Sequence, residues 1–134
     1  MARHADVTRK LLEAFNANRP DNAADLITDD FLDHHVPAEI PRGFEGLRMW
    51  WTMLHSAFDG RIDVDDVIEG DDRVASRWRF SGTHIGEFND IPATNLKFSA
   101  VFMSIDRFEG GRIAERWEVG DLLGLLQQIG AIPS

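Results

Sequence analysis

The stretch RVASRWRFSGT, residues 73–83, decides the fold. Val74, Ser76, Trp78 and Phe80 alternate with Arg77 and Arg79, so one face is largely apolar and the other charged. That period of two is the mark of a strand with one face on a core. Working outward, Gly70-Asp71-Asp72 reads as a hairpin turn. Before it, residues 61–69 alternate with Ile62, Val64, Asp66 and Ile68 on one side. After it comes a loop over 84–95, rich in Gly, Asn and Pro, and then a strand over 96–107 carrying Leu96, Phe98, Ala100 and Phe102. Glu109-Gly110-Gly111 turns the chain into a last strand, 112–119.

The first half is helical. Val7, Leu11, Leu12 and Phe15 share a face of a helix over 5–18. Pro20 stops it, and a short helix over 21–28 follows. Residues 31–36 form a short strand. Leu32, His34 and Val36 share its inward side, which turns Phe31, Asp33 and His35 outward. After a loop over 37–43, a helix over 44–58 directs Leu47, Trp50, Trp51 and Leu54 to the core. A closing helix runs from Asp121 through Leu122, Leu123, Leu125, Leu126 and Ile129. Helices first and antiparallel strands after make an α+β domain spanning 1–134. A long sheet must cover its apolar face with the early helices. Wrapping around them leaves a cone whose mouth is a natural ligand site.

The formal charge is −9 and the estimated pI 4.9. The basic residues are scattered, so the counterion-displacing face that nucleic acid requires is missing. Without cysteine there is neither a disulfide nor a thiolate metal site, which suits a cytoplasmic protein. No signal peptide is expected at the N-terminus, and no apolar run approaches the ~20 residues of a membrane helix. A phosphate loop, a nucleophile elbow and a zinc-binding helix motif are all absent.

Several side chains qualify for a site. His34, on the inward face, is placed to hydrogen-bond a substrate carbonyl or, equally, a backbone group. His84 begins the 84–95 loop and either lines the cup or pins the loop. Trp50, Trp78, Phe102 and Trp117 offer flat surface to a polycyclic ligand. Trp117, Val119 and Asp121 alternate and should share a face. Apolar neighbours would raise the carboxyl pKa of Asp121 towards acid–base use. Asp121 also precedes an apolar helix, so N-capping is the competing reading. His34, His84 and Asp121 do not make a persuasive metal site, and no metal is expected.

In order along nearly the whole chain stand Asp33-His34, Pro41-Arg42-Gly43, Glu45-Gly46, Val67 through Ala75, Gly82-Thr83-His84, Ile91-Pro92, Gly111 through Trp117, Asp121 and Leu125 through Gly130. This series resembles the SnoaL-like polyketide cyclases of the nuclear transport factor 2-like superfamily. The resemblance implies the cone fold and an intramolecular aldol ring closure on a hydrophobic carbonyl compound. It also implies catalysis without metal or cofactor, Asp121 as the acid–base residue, and a homodimer formed through the open sheet face. The same fold hosts non-catalytic ligand binders, epoxide hydrolases and isomerases, so fold alone does not set the reaction. Arg116, counted with the substrate-binding residues, stands where the family often has histidine; its cation is expected to hold Asp121 ionised and alter the mechanism.

Overall fold

A computed structural model describes residues 3–133. Helix α1 (His4–Asn16) buries Val7, Leu11, Leu12 and Phe15 along one stripe. Asn18, at φ 52°, turns the chain, a left-handed conformation that asparagine tolerates. Pro20–Leu26 is a 3-10 turn and gives way at once to strand β1 (Ile27–Asp33). The expected 21–28 helix is therefore shorter and tighter. Ile27 and Thr28, both β-branched, favour the strand, and Ile27 pairs with Ile113 at 2% exposure. Helix α2 (Gly43–Ala57) is followed by β2 (Phe58–Glu69), β3 (Arg73–His84), β4 (Lys97–Glu109), β5 (Arg112–Gly120) and helix α3 (Leu122–Gln128).

The strands form one sheet in the order β1-β5-β4-β3-β2, with β1 parallel to β5 and the other pairs antiparallel. Helix α1 packs on β2, β3 and β5, and α2 on β1 and β2. Between helices and sheet lie Val74, Trp78, Phe80, Phe98 and Ala100, the inward residues of the two central strands. In β2 the register slips between Val64 and Asp66. Such a bulge flips the alternation beyond it. Ile62 is accordingly buried and Ile68 66% exposed, although regular alternation placed them on the same side.

The adjacent strands β1 and β5 both present the opposite face from the one expected. In β1 it is Phe31, 3% exposed, that enters the core. Asp33 and His35 follow it inward, while His34 points to the outer side against Trp117. In β5 the inward residues are Arg116 and Glu118, and Trp117 and Val119 lie outside at 36% and 73% exposure. With a side-chain period of two, choosing the wrong anchor inverts every residue of a strand. The anchor of β1 is its aromatic, which buries more area than Leu32 or Val36. In β5 the outer face of the sheet is itself apolar, so hydrophobicity pointed the wrong way.

Candidate active site

A hollow opens between α1, α2 and the concave side of the sheet. Its interior volume is about 120 Å³, and it opens to solvent at its mouth. Trp50, Trp51 and Leu54 of α2 line one wall, with Trp78, Phe80 and Phe102 on the sheet opposite. Trp78 and Phe102 stack at 4.9 Å and 11°. Phe102 lies flat because Gly120 faces it across the sheet; a Cβ there would stand 2.0 Å from its ring. Leu122, half exposed, stands at the opening.

Against this apolar wall the ionisable groups are Asp33, His35, Arg116 and Glu118. His35 Nε2 lies 2.9 Å from Glu118 Oε2, and its Nδ1 3.9 Å from Asp33 Oδ1. The His35 backbone N–H donates to the same Asp33 oxygen at 3.1 Å. Arg116 Nε stands 3.6 Å from Glu118 Oε1, and Nη1 3.6 Å from Oδ1 of Asp106, a wholly buried residue behind the wall. Arg116 Nη2 donates to Ser104 Oγ at 2.9 Å. Trp78 Nε1 also donates to that hydroxyl, at 3.2 Å, and Ser76 Oγ is 2.8 Å away. With two incoming donors, Ser104 has its own proton left for Ser76.

One guanidinium and one imidazole thus meet three carboxyls. Burial pushes the Asp33 pKa up, against the pull of Arg116. Burial also pushes Asp106 up, against Arg116 and the Thr8 hydrogen bond. For His35, burial opposes the charge, but the Glu118 hydrogen bond and the charges of Glu118 and Asp33 outweigh it, so its pKa lies above the ordinary value. The same balance holds for Arg116, where Asp106, Glu118 and Asp33 overcome burial and keep it cationic. A carboxyl whose pKa burial raises, beside another close to cations, is an arrangement by which one site can supply both an acid and a base.

Of the residues expected in the site, Trp50, Trp78, Phe102 and Arg116 line the hollow. Four do not. Asp121 is exposed and caps α3, its Oδ1 accepting the Gly124 N–H at 2.9 Å. A Cβ on Gly124 would come within 2.2 Å of that carboxylate, so glycine makes room for the cap. His34 lies on the outer side, its Nε2 2.7 Å from Glu115 Oε2, stacked on Trp117 at 4.8 Å. Trp117 is therefore an outer-face residue as well. His84 is fully buried, and its Nδ1 accepts the Thr94 N–H at 3.3 Å, which ties down the 84–95 loop. The inward placement expected of His34 and Trp117 is thus reversed, while His84 and Asp121 take the loop-pinning and capping positions that were their alternatives. The lining residues that sequence reading did not place there are Asp33, His35 and Glu118, with Asp106 buried behind them. Alternation from Phe31 and from Arg116 would have found the first three. Among the described residues, no group of three or more His, Asp or Glu side chains is arranged to hold a metal ion.

The sequence profile of the SnoaL-like polyketide cyclases matches residues 5–129. The chain belongs to that family. This SnoaL-like protein is 27% identical over 134 residues to the aklanonic acid methyl ester cyclase DauD of Streptomyces sp. (strain C5), covering 97% of this chain and 83% of the relative. It is 25% identical over 124 residues to the nogalonic acid methyl ester cyclase of Streptomyces nogalater, covering 90% of this chain and 92% of the relative. Among solved structures it is similar to TsrD from Streptomyces laurentii, with a TM-score of 0.89, 28% identity, and coverage of 98% and 99%. IdmH from Streptomyces antibioticus superposes with a TM-score of 0.83 at 31% identity, over 96% of this chain and 99% of that one. The SnoaL-like fold and the aromatic-walled hollow thus go together in this chain.

Proposed function

We propose that this protein is a polyketide cyclase that closes a carbocyclic ring by an intramolecular aldol reaction, with Glu118 as base, Asp33 as acid and no cofactor. The observation that carries the reading is the Asp33–His35–Glu118 group on the wall of an aromatic hollow. Glu118 removes a proton from a carbon lying between two carbonyls. The resulting carbanion attacks a second carbonyl carbon of the same molecule; a C–C bond forms, and the C=O π electrons become an alkoxide. Asp33, whose carboxyl pKa burial raises, donates its proton to that oxygen. His35 holds Glu118 at 2.9 Å; after the product leaves, Glu118 gives up its proton to solvent and Asp33 regains one. No atom is gained or lost, so the product is an isomer of the substrate.

A 1,3-dicarbonyl carbon is already acidic, so a carboxylate is a sufficient base. Holding the two reacting carbons together between Trp50 and the Trp78–Phe102 stack supplies the orientation. In well-aligned intramolecular systems that is worth about 7–11 kcal/mol. The test is chromatographic: aromatic polyketide methyl esters, including those of aklanonic and nogalonic acid, are incubated with the protein. Conversion of one of them to a ring-closed isomer of equal mass supports the reading. Tight binding with no isomer formed assigns the hollow to ligand binding alone.

We infer in addition that two copies pair through the outer sheet face. Ile68, Met103, Ile105, Trp117 and Val119 leave apolar surface exposed on that side, more than isolated surface residues account for.

A further inference from the structure

Behind the wall lies a charge that never reaches the hollow. Asp106 is 1% exposed and is not among the lining residues. Its Oδ2 accepts the Thr8 hydroxyl proton at 2.8 Å, which ties it to α1. Its Oδ1 has no hydrogen-bond partner, only Arg116 Nη1 at 3.6 Å. Leaving a buried carboxylate oxygen without a hydrogen bond is costly. A side chain needed only to join α1 to the sheet would not require the negative charge.

Arg116 shows what the charge does. The guanidinium is held by Ser104 at 2.9 Å, while its distances to Asp106 and to Glu118 are both 3.6 Å. Both exceed the roughly 2.7–2.9 Å of a charge-assisted hydrogen bond, so neither carboxylate has closed on it. The cation is suspended between one acid inside the cup and one outside.

We propose that Asp106 is a positioning residue for proton transfer: from behind the wall it draws one arm of Arg116 and keeps that guanidinium from clamping Glu118 and Asp33. The proposal rests on the reading of those two carboxyls as base and acid. The charged and titratable groups around Arg116 are Glu118 from its own strand, Asp106 from β4, Asp33 from β1 and His35 just beyond it; α1 contributes the uncharged Thr8. With Asp106 neutral, the positive charge of Arg116 falls on the cup side alone, and Asp33 then holds its ionised form to lower pH.

The experiment is a 13C NMR titration of the Asp33 carboxyl carbon in the intact, substrate-free protein. Wild type is compared with Asp106→Asn, which keeps the side chain's shape and loses its charge. The Asp33 titration is expected to move to lower pH. An unmoved titration in a folded variant overturns the proposal, whatever happens to thermal stability, because a purely structural role shifts only the latter. Thr8→Val is the second variant. It removes a hydrogen bond from ionised Asp106, favours its neutral form, and should move the titration the same way. If neither variant folds by circular dichroism, Asp106 serves stability alone and the proposal fails. The readout needs no substrate, so it is independent of whether Glu118→Gln abolishes ring closure, the result on which the acid–base reading itself depends.

Discussion

His35 Nε2 and Glu118 Oε2 are 2.9 Å apart, joining the end of β1 to the inward face of β5. Burial would discharge this histidine; Glu118 and Asp33 together keep its pKa above the ordinary 6.5. A histidine pKa raised on folding adds stability that is complete below the unfolded value and is lost as pH rises through the folded one. Urea denaturation of the wild type should therefore show stability declining above pH 6.5. His35→Gln should remove that part of the slope. A variant with the wild-type slope would show that the pair does not hold the proton.

Asp33 carries a different cost. Its pKa is raised by burial, so its contribution is complete below the ordinary 3.8 and is lost as pH climbs through the folded value. Asn imitates the protonated form at every pH. Asp33→Asn should gain about 1 kcal/mol of stability near neutral pH and lose about 10²-fold in turnover. A variant that is both less stable and fully active would contradict the assignment.

Asp121 stands outside the hollow as the cap of α3. Losing such a cap costs about 1 kcal/mol. Asp121→Ala should lower the melting temperature, while Asp121→Asn, which still accepts the Gly124 N–H, should leave both stability and turnover near wild type. Thermal melts paired with the isomerisation assay check both.

Most of the architecture was legible from alternation. RVASRWRFSGT folds as β3 with Val74, Trp78 and Phe80 inward, and α2 turns Leu47, Trp50, Trp51 and Leu54 to the core and cup. The site was not legible, because on β1 and β5 polarity runs against the usual rule. Arg116 and Glu118 face in, and Trp117 and Val119 face out. Reading apolar as inward on those strands sends the charged lining residues to the wrong side. Asp121 shows a related ambiguity: a carboxylate before an apolar helix serves equally well as a cap, and here the Gly124 amide takes it.

The outer face offers a separate check. Val119 is 73% and Met103 53% exposed. Placing charges there, as in Met103→Glu with Val119→Lys, should leave the cup untouched and convert a dimer to a monomer by light scattering. A wild type that is monomeric at all concentrations would refute pairing through this surface.

The most direct measurement is ring closure by Glu118→Gln beside Asp121→Asn, with a polyketide ester that the wild type isomerises. The account predicts that Glu118→Gln folds normally and loses turnover by about 10²–10⁴-fold, while Asp121→Asn stays close to wild type. Wild-type turnover in Glu118→Gln, or its loss in Asp121→Asn with the fold intact, would contradict the placement of the proton-transfer chemistry inside the cup.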